Sequence, residues 1–337
     1  MARVAVDATA VGPGARGIGR VARGTVEALA GRGLDVVALV RDARAVGVPA
    51  EVVRARPAVL WEQVGLRRAA REHGAVLTFT ERLPLLGGGR FVVWLFELPA
   101  RRIEQNRLAG TGSYQRASDL VTSALWRRSL RRAGCVLTGS AATADELRAA
   151  LPGLRDVRVC YPGLDERFTP GPGRDGRYVL HVGSADPRDN TGAVAESVAR
   201  ANRRLREPVK LVIAGSATLR ADGAELLGSV SDEELAELYR GAAAYVDASL
   251  YEGFGYQPLE AMACGAPVVG SDVPAAAEVL GDAAILCDPA DHEARAAALV
   301  QVLEEPGLAE QLRSRGLSRA RAFTWDRTAA VLEEALR

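Results

Sequence analysis

Short runs of branched apolar residues recur along this chain at helix-length intervals, and that recurrence constrains the fold more than any other feature. Val4–Val6, Val36–Val40, Ala75–Phe79, Phe91–Phe96 and Val136–Thr138 each fit a strand buried on both faces. Between them, stretches such as Gly19–Ala30 and Leu120–Arg132 carry one apolar stripe opposite many arginines, the pattern of a surface helix. Val157–Tyr161 closes this half. The segment Pro162–Arg177, PGLDERFTPGPGRDGR, has no periodicity and reads as a linker. Alternation then restarts at Tyr178–Val182, Lys210–Ala214, Glu225–Leu227, Ala244–Ala248, Ala266–Val269 and Ala283–Leu286. Helices such as Asp232–Arg240 and Pro258–Cys264 fit between these runs.

Strands alternating with helices give parallel sheets covered on both faces. The expectation is an α/β chain with two Rossmann-like, doubly wound domains, residues 1–165 and 166–322, facing a cleft. A closing helix at 323–337 is expected to cross back onto the first domain. A length of 337 residues suits two domains of about 150 each. MARVAVDATA reads as a first strand and not as a signal peptide.

Charge and cysteine usage exclude several classes. With 43 basic and 42 acidic side chains, the chain has no global field to attract nucleic acid. No apolar run approaches the roughly 18 residues of a membrane span, and no strongly basic amphipathic helix is evident. Membrane association is therefore peripheral at most. Cys135, Cys160, Cys264 and Cys287 lack CxxC pairing and nearby histidines, which argues against a metal site or disulfide framework and for a reducing cytoplasm. Lys210 is the single lysine and enters a strand, so no phosphate-binding P-loop exists.

Gly12, Gly14 and Gly17 spell GxGxxG after the first strand, and Asp42 follows the second. In a dinucleotide fold those glycines make the strand-to-helix turn at once. Here Thr9, Ala10 and Val11 intervene and Pro13 stiffens the loop, which speaks against a nicotinamide site. A plain glycine-rich turn is one alternative. The other is a loop whose Gly17 and Gly19 amides approach a ligand.

Ser249–Gly265, SLYEGFGYQPLEAMACG, carries the chemistry. It follows a strand, so its loop lies where doubly wound sheets bind ligands. Pro258 suits a first helical position, and the helix would aim free N–H groups at an anion. Glu252 in the loop and Glu260 in the first helical turn would repel phosphate, but each can accept paired hydrogen bonds from a diol. Sugar, pyrophosphate and ribose together would use all three features.

This string resembles the donor site of retaining glycosyltransferases of the GT-B fold, specifically family 4, the group 1 glycosyl transferases. The family's signature is a pair of glutamates separated by seven residues in a run like S-x-x-E-G-F-G-x-x-x-x-E-A-M-A-x-G. Ser249, Gly253, Phe254, Gly255, Ala261 and Gly265 all match it. The resemblance extends over RVAVDAT, CVLTGSAATADEL, VRVCYPGLDERFTP, GSVSDEELAELYRGA, VVGSDVPAAAEVLGDAA and FTWDRTA. It implies that Glu260 holds the nucleotide ribose and that Glu252, with the backbone of Gly253, Phe254 and Gly255, holds the transferred sugar. Ser229 and Val230 would line the base, while Gly17 and Gly19 would approach the diphosphate. Outside this context, Glu252 would read as a solvated loop charge and Glu260 as a helix-start acid favoured by the dipole.

The chain departs from the family's pattern in two places. HVGSADPRDN puts Ser184 and Asp189 at the two positions from which the family usually supplies basic residues to the leaving diphosphate. Arg188 is the substitute, or else a salt-bridge partner of Asp186 or Asp189. In the first domain, Phe96 and Glu97 stand where many relatives have His-Asp. Glu97 either takes a related role toward the acceptor hydroxyl or pairs with Arg101 or Arg102. Trp94, Phe96, Arg101 and Arg102 mark an acceptor region. His73 reads as helical, His181 as a strand residue and His292 as a surface residue.

The expected reaction is retaining transfer of a sugar from a nucleotide-diphosphate sugar to a hydroxyl of a glycan, lipid-linked glycan or natural product. Glu252 and Arg188 would be its catalytic residues, and no metal or other cofactor is called for. The alternatives are a non-catalytic sugar-nucleotide or carbohydrate binder, motivated by Asp189 and Phe96, and a GT-B sugar-nucleotide epimerase.

Overall fold

The computed structural model describes residues 3–12, 17–54, 60–108, 113–174, 176–217 and 223–337. Pro13 and Gly14 of the glycine loop and Asp175 of the linker lie outside the described residues. The chain divides into two compact units, one formed by Met1–Gly163 with Phe323–Arg337, the other by Leu164–Ala322.

Unit 1 holds strands β1 (Val4–Asp7), β2 (Val36–Val40), β3 (Ala50–Val52), β4 (Ala75–Thr78), β5 (Phe91–Leu95), β6 (Cys135–Thr138) and β7 (Val157–Val159). They form one sheet in the order β3-β2-β1-β4-β5-β6-β7, with every pairing parallel. Branched side chains fill β1, β2 and β5 because both faces are covered, and these strands are buried throughout. The edge strand β3 is partly exposed and has no apolar run, which is why periodicity does not reveal it. Helix α1 (Ile18–Gly31) starts at Gly17, whose φ of 54° favours glycine. Helix α2 (Leu66–Glu72) ends just before His73, which is therefore not helical as expected. Two further helices follow, α3 (Pro99–Leu108) and α4 (Ser113–Leu130), and the second starts seven residues earlier than its apolar pattern suggests. Helix α5 (Ala141–Ala150) is capped by Ser140, whose hydroxyl accepts from the Thr143 N–H.

Unit 2 holds β8 (Tyr178–Val182), β9 (Lys210–Ala214), β10 (Ala224–Gly228), β11 (Ala244–Val246), β12 (Val268–Ser271) and β13 (Ile285–Cys287). Their order is β10-β9-β8-β11-β12-β13, again all parallel. The order reverses between β8 and β11, and in such sheets ligands bind at the carboxyl ends beside that reversal. Its helices are α6 (Thr191–Asn202), α7 (Asp232–Gly241), α8 (Tyr256–Ala263), α9 (Pro274–Leu280), α10 (His292–Glu304) and α11 (Pro306–Ala320). Val194, Val198, Ile213, Val246, Val269 and Leu299 make the core between one sheet face and helices α6 and α10. Helix α7 opens with a capping box in which Ser231 and Glu234 bond each other's backbone N–H.

The last helix, α12 (Trp325–Leu336), belongs to unit 1 and packs on α1. Thr328 donates its hydroxyl to the Tyr161 carbonyl, and Phe323 meets the Tyr161 ring edge-on.

Candidate functional site

At the reversal of the unit 2 sheet, two strand ends are stitched together. The Leu250 N–H donates to the Arg188 carbonyl at 2.8 Å. Asn190, at a φ of 49°, donates its side-chain amide to the Ala248 carbonyl at 3.1 Å. These bonds bring the turn after β8 beside the loop that follows β11. Arg188 and Glu252 thereby share one site.

Beneath that loop lies a buried polar pair. His181 sits inside β8, with Nδ1 3.0 Å from the Val246 carbonyl and Nε2 3.2 Å from the Thr191 hydroxyl. A carbonyl only accepts, so Nδ1 carries the proton and Nε2 accepts from Thr191. Burial holds this imidazole below its usual pKa, against the pull of Asp247. Asp247 accepts from the Ser249 hydroxyl at 2.8 Å and from its N–H at 3.3 Å. Its carboxyl is pushed up by burial, and the nearby His181 and Ser249 oppose the shift. Neither Asp247 nor Thr191 stood out in the sequence. The available signal for Asp247 was an acid directly after the apolar strand AYV.

Glu252 lies half-buried in the loop. Burial pushes its carboxyl up to about 8, Asp247 and Asp189 add to the rise, and Ser249 and Arg188 oppose it. Helix α8 begins at Tyr256, two residues before the expected start, because Gly255 takes a φ of 88° and serves as its cap. The first helical bond runs from the Leu259 N–H to the Gly255 carbonyl. Pro258 is consequently the third helical residue, where a missing N–H still costs the helix nothing. Glu260 is the fifth, two residues deeper than expected, and only 2% exposed. Tyr239 of α7 donates its hydroxyl to Glu260 Oε2 at 3.2 Å. The Tyr239 ring itself meets Phe168 and Tyr245 edge-on, so a packed aromatic column fixes that donor. The Phe254 side chain is buried against Tyr256, which leaves its backbone as the part available to a ligand.

The basic and acidic residues of the first turn are both engaged. Arg188 bonds Asp186 through Nε at 2.9 Å and through its terminal nitrogen at 2.6 Å. Asp189 accepts from the Ser184 N–H at 2.5 Å, so its carboxylate is turned into the turn's own backbone. Ser229 is exposed and Val230 half-buried after β10, on the same carboxyl edge of the sheet. Three inter-strand steps of about 4.8 Å, roughly 14 Å in all, separate β10 from β11. Gly183 and Gly215 end β8 and β9, and a Cβ on Gly215 would overlap the Gly183 carbonyl.

The other predicted residues lie in unit 1. Gly17 caps α1 and Gly19 is buried in its first turn. Phe96 and Glu97 are half-buried directly after β5. Trp94, expected in an acceptor region, is instead fully buried between Phe79 and Phe96, with ring centroids at 5.9 and 5.4 Å. Arg101 bonds Glu146 at 2.7 Å. The side chain of Arg102 lies outside the described residues. Asp42, the acid of the dinucleotide reading, is exposed and paired with Arg44, which holds its carboxyl well below the usual range.

The unit 1 sheet also reverses, between β1 and β4. There Asp7 accepts from the hydroxyls of Thr9 at 2.7 Å and Thr78 at 3.0 Å. Close by in sequence to Thr78, Arg82 donates to the buried Glu62 at 2.6 Å. Burial pushes the Glu62 carboxyl up and Arg82 opposes the rise. Sequence reasoning missed both acids, since each stands singly among apolar neighbours.

Residues 165–319 match the protein family described as Glycosyl transferases group 1. The chain is 35% identical over 162 residues to the O-antigen chain mannosyltransferase B of Escherichia coli, covering 44% of this chain and 42% of that protein. It is 31% identical over 235 residues to the MMP alpha-(1->4)-mannosyltransferase of Mycolicibacterium hassiacum, covering 62% of this chain and 56% of that protein. The chain thus spans less than two thirds of either relative's length. Among solved structures, sucrose-phosphate synthase from Thermosynechococcus elongatus matches with a TM-score of 0.77 at 21% identity, over 99% of this chain and 98% of that one. Anabaena HepE in complex with UDP and glucose matches with a TM-score of 0.76 at 16% identity, over 100% and 99%. These likenesses establish the fold as GT-B, as the sequence led one to expect.

Proposed function

Because residues 165–319 match the group 1 glycosyl transferase family, we propose that the chain transfers a sugar from a nucleotide-diphosphate sugar to an acceptor hydroxyl. The observation that carries this reading is the placement of Glu252 and Glu260. They flank the N-terminus of α8 at the reversal of the unit 2 sheet. Carboxylates on either side of a helix N-terminus suit a ligand with hydroxyls at both ends and an anion between. Glu260 takes the ribose diol, on a carboxylate whose position Tyr239 fixes. Glu252 takes the transferred sugar with the backbone of Gly253, Phe254 and Gly255. Ser229 and Val230 line the base.

Transfer proceeds with retention, as in family 4, and the departing phosphate accepts the acceptor's proton. The protein contributes orientation and preorganised dipoles to that step. Arg188 steadies the departing charge once it exchanges Asp186 for phosphate, and the Asp189 carboxylate is bonded by the Ser184 N–H. Phe96 and Glu97, directly after β5, are the residues assigned to the acceptor. The names of the two relatives favour a mannosyl donor. No described helix is long and apolar enough to cross a membrane, and four free buried cysteines suit a reducing compartment.

A thermal-shift series of nucleoside diphosphates and their sugar conjugates identifies the donor, since a ligand bound only by the folded state raises the midpoint. Calorimetry with that donor then tests the assignment of Glu260. Glu260→Ala is expected to weaken binding about tenfold or more, the cost of a charged hydrogen bond. Unchanged affinity would remove Glu260 from the site. Proton NMR of the product's anomeric centre tests retention.

The Arg188–Asp186 pair favours a second reading, a sugar-nucleotide binder that does not transfer. Tight donor binding with neither transfer nor slow donor hydrolysis would select it.

A further inference from the structure

We propose that Glu51, Glu72 and His73 of unit 1 form a binding site for a divalent transition metal, with zinc the best chemical match. This goes beyond the transfer reaction and does not depend on it. Glu51 is the central residue of the edge strand β3, Glu72 is the last residue of α2, and His73 follows it. The backbone N–H of His73 donates to the Ala69 carbonyl, so the helix end fixes where the imidazole stands.

The imidazole is the telling feature. Its side chain is 4% exposed, and both ring nitrogens are buried without a hydrogen-bond partner. Buried polar groups ordinarily find one. Nε2 lies 3.3 Å from Glu51 Oε1 without the alignment of a hydrogen bond. Two ligands about 2.1 Å from a tetrahedral zinc are themselves about 3.4 Å apart, so this pair already has ligand spacing. One ligand atom from each of the three residues lies within 4.8 Å of the other two. Among the described residues this is the one cluster of its kind.

Arg68 bonds Glu72 Oε1 at 2.8 Å, an exposed pair one helical turn apart. Such pairs are weak, and a metal would outcompete the arginine for that carboxylate. One imidazole with two carboxylates suits zinc better than the all-oxygen shells of calcium and magnesium. A water would complete the fourth position. Bound there, the metal would clamp an edge strand to the end of the helix beside it.

The test is titration of Zn2+ into the untagged full chain after chelator treatment, read by a competing chromophoric indicator. Visible absorption of the Co2+ form serves as a second readout. One equivalent is expected, with tetrahedral Co2+ bands, and Zn2+ should raise the thermal midpoint. Glu51→Gln and Glu72→Gln change exposed side chains and should leave the fold intact. Each should weaken Zn2+ by about tenfold or more, at least the effect of losing an outer-shell partner. His73→Asn should abolish the Co2+ bands. The proposal fails if the wild-type chain takes up no stoichiometric equivalent. It also fails if the Glu51→Gln, Glu72→Gln double variant binds Zn2+ like the wild type. Neither outcome bears on donor binding by unit 2.

Discussion

Single carboxyl groups in unit 2 differ sharply in what surrounds them, and burial pushes that of Glu252 well up. In the unfolded chain its carboxyl would titrate near 4.5, whereas in the fold it holds its proton up to about 8. Between those values the folded state binds the proton and the unfolded state does not. Raising the pH through that window therefore favours unfolding. Glu252→Gln removes the effect. The variant is expected to gain thermal stability over wild type as pH rises from 5 to 8, with little difference at pH 4. Parallel melting curves at all pH values would show that the carboxyl is not buried as described. The motif around Glu252 and Glu260 was legible because its residue types are rare in combination. The supporting Tyr239, Thr191 and Asp247 were not, because an isolated polar residue in a helix or after a strand has no signature until the fold is assembled.

Elements make the site usable through their ends more than their middles. β8, β9 and β10 each finish at or just before a glycine, at Gly183, Gly215 and Gly228. Gly215 combines a φ of 107° with close approach to Gly183, so alanine there faces both strain and overlap. Gly215→Ala is expected to cost about 2 kcal/mol or more. Urea unfolding measures this, and a loss below the scatter of surface substitutions would refute the strain. The alternation of apolar runs made both parallel sheets readable, since a strand buried on two faces must be apolar throughout. The edge strand β3 and the true start of α8 were not readable. β3 is buried on neither face, and the start of α8 is set by the backbone of Gly255, with no contribution from an apolar stripe. The proline that resembled a start signal occupies the third position, where the same physics tolerates it.

For the molecule as a whole, one helix closes unit 1 from the far end of the sequence. Trp325 packs so tightly that a Cβ on Gly24 or Gly163 would overlap it. Trp325→Ala is expected to destabilise unit 1 by about 2 kcal/mol, less than for a fully buried tryptophan. Hydrogen exchange should show the loss in α1 and α12, with β8 to β13 keeping their protection. Equal loss in both units would contradict their separation.

Residues 164–322 also leave the ribosome before the helix that seals α1. Unit 2 therefore has every residue it needs while its neighbour still displays an apolar groove along α1. During synthesis that groove is the place where a chaperone, or another nascent chain, would find a foothold.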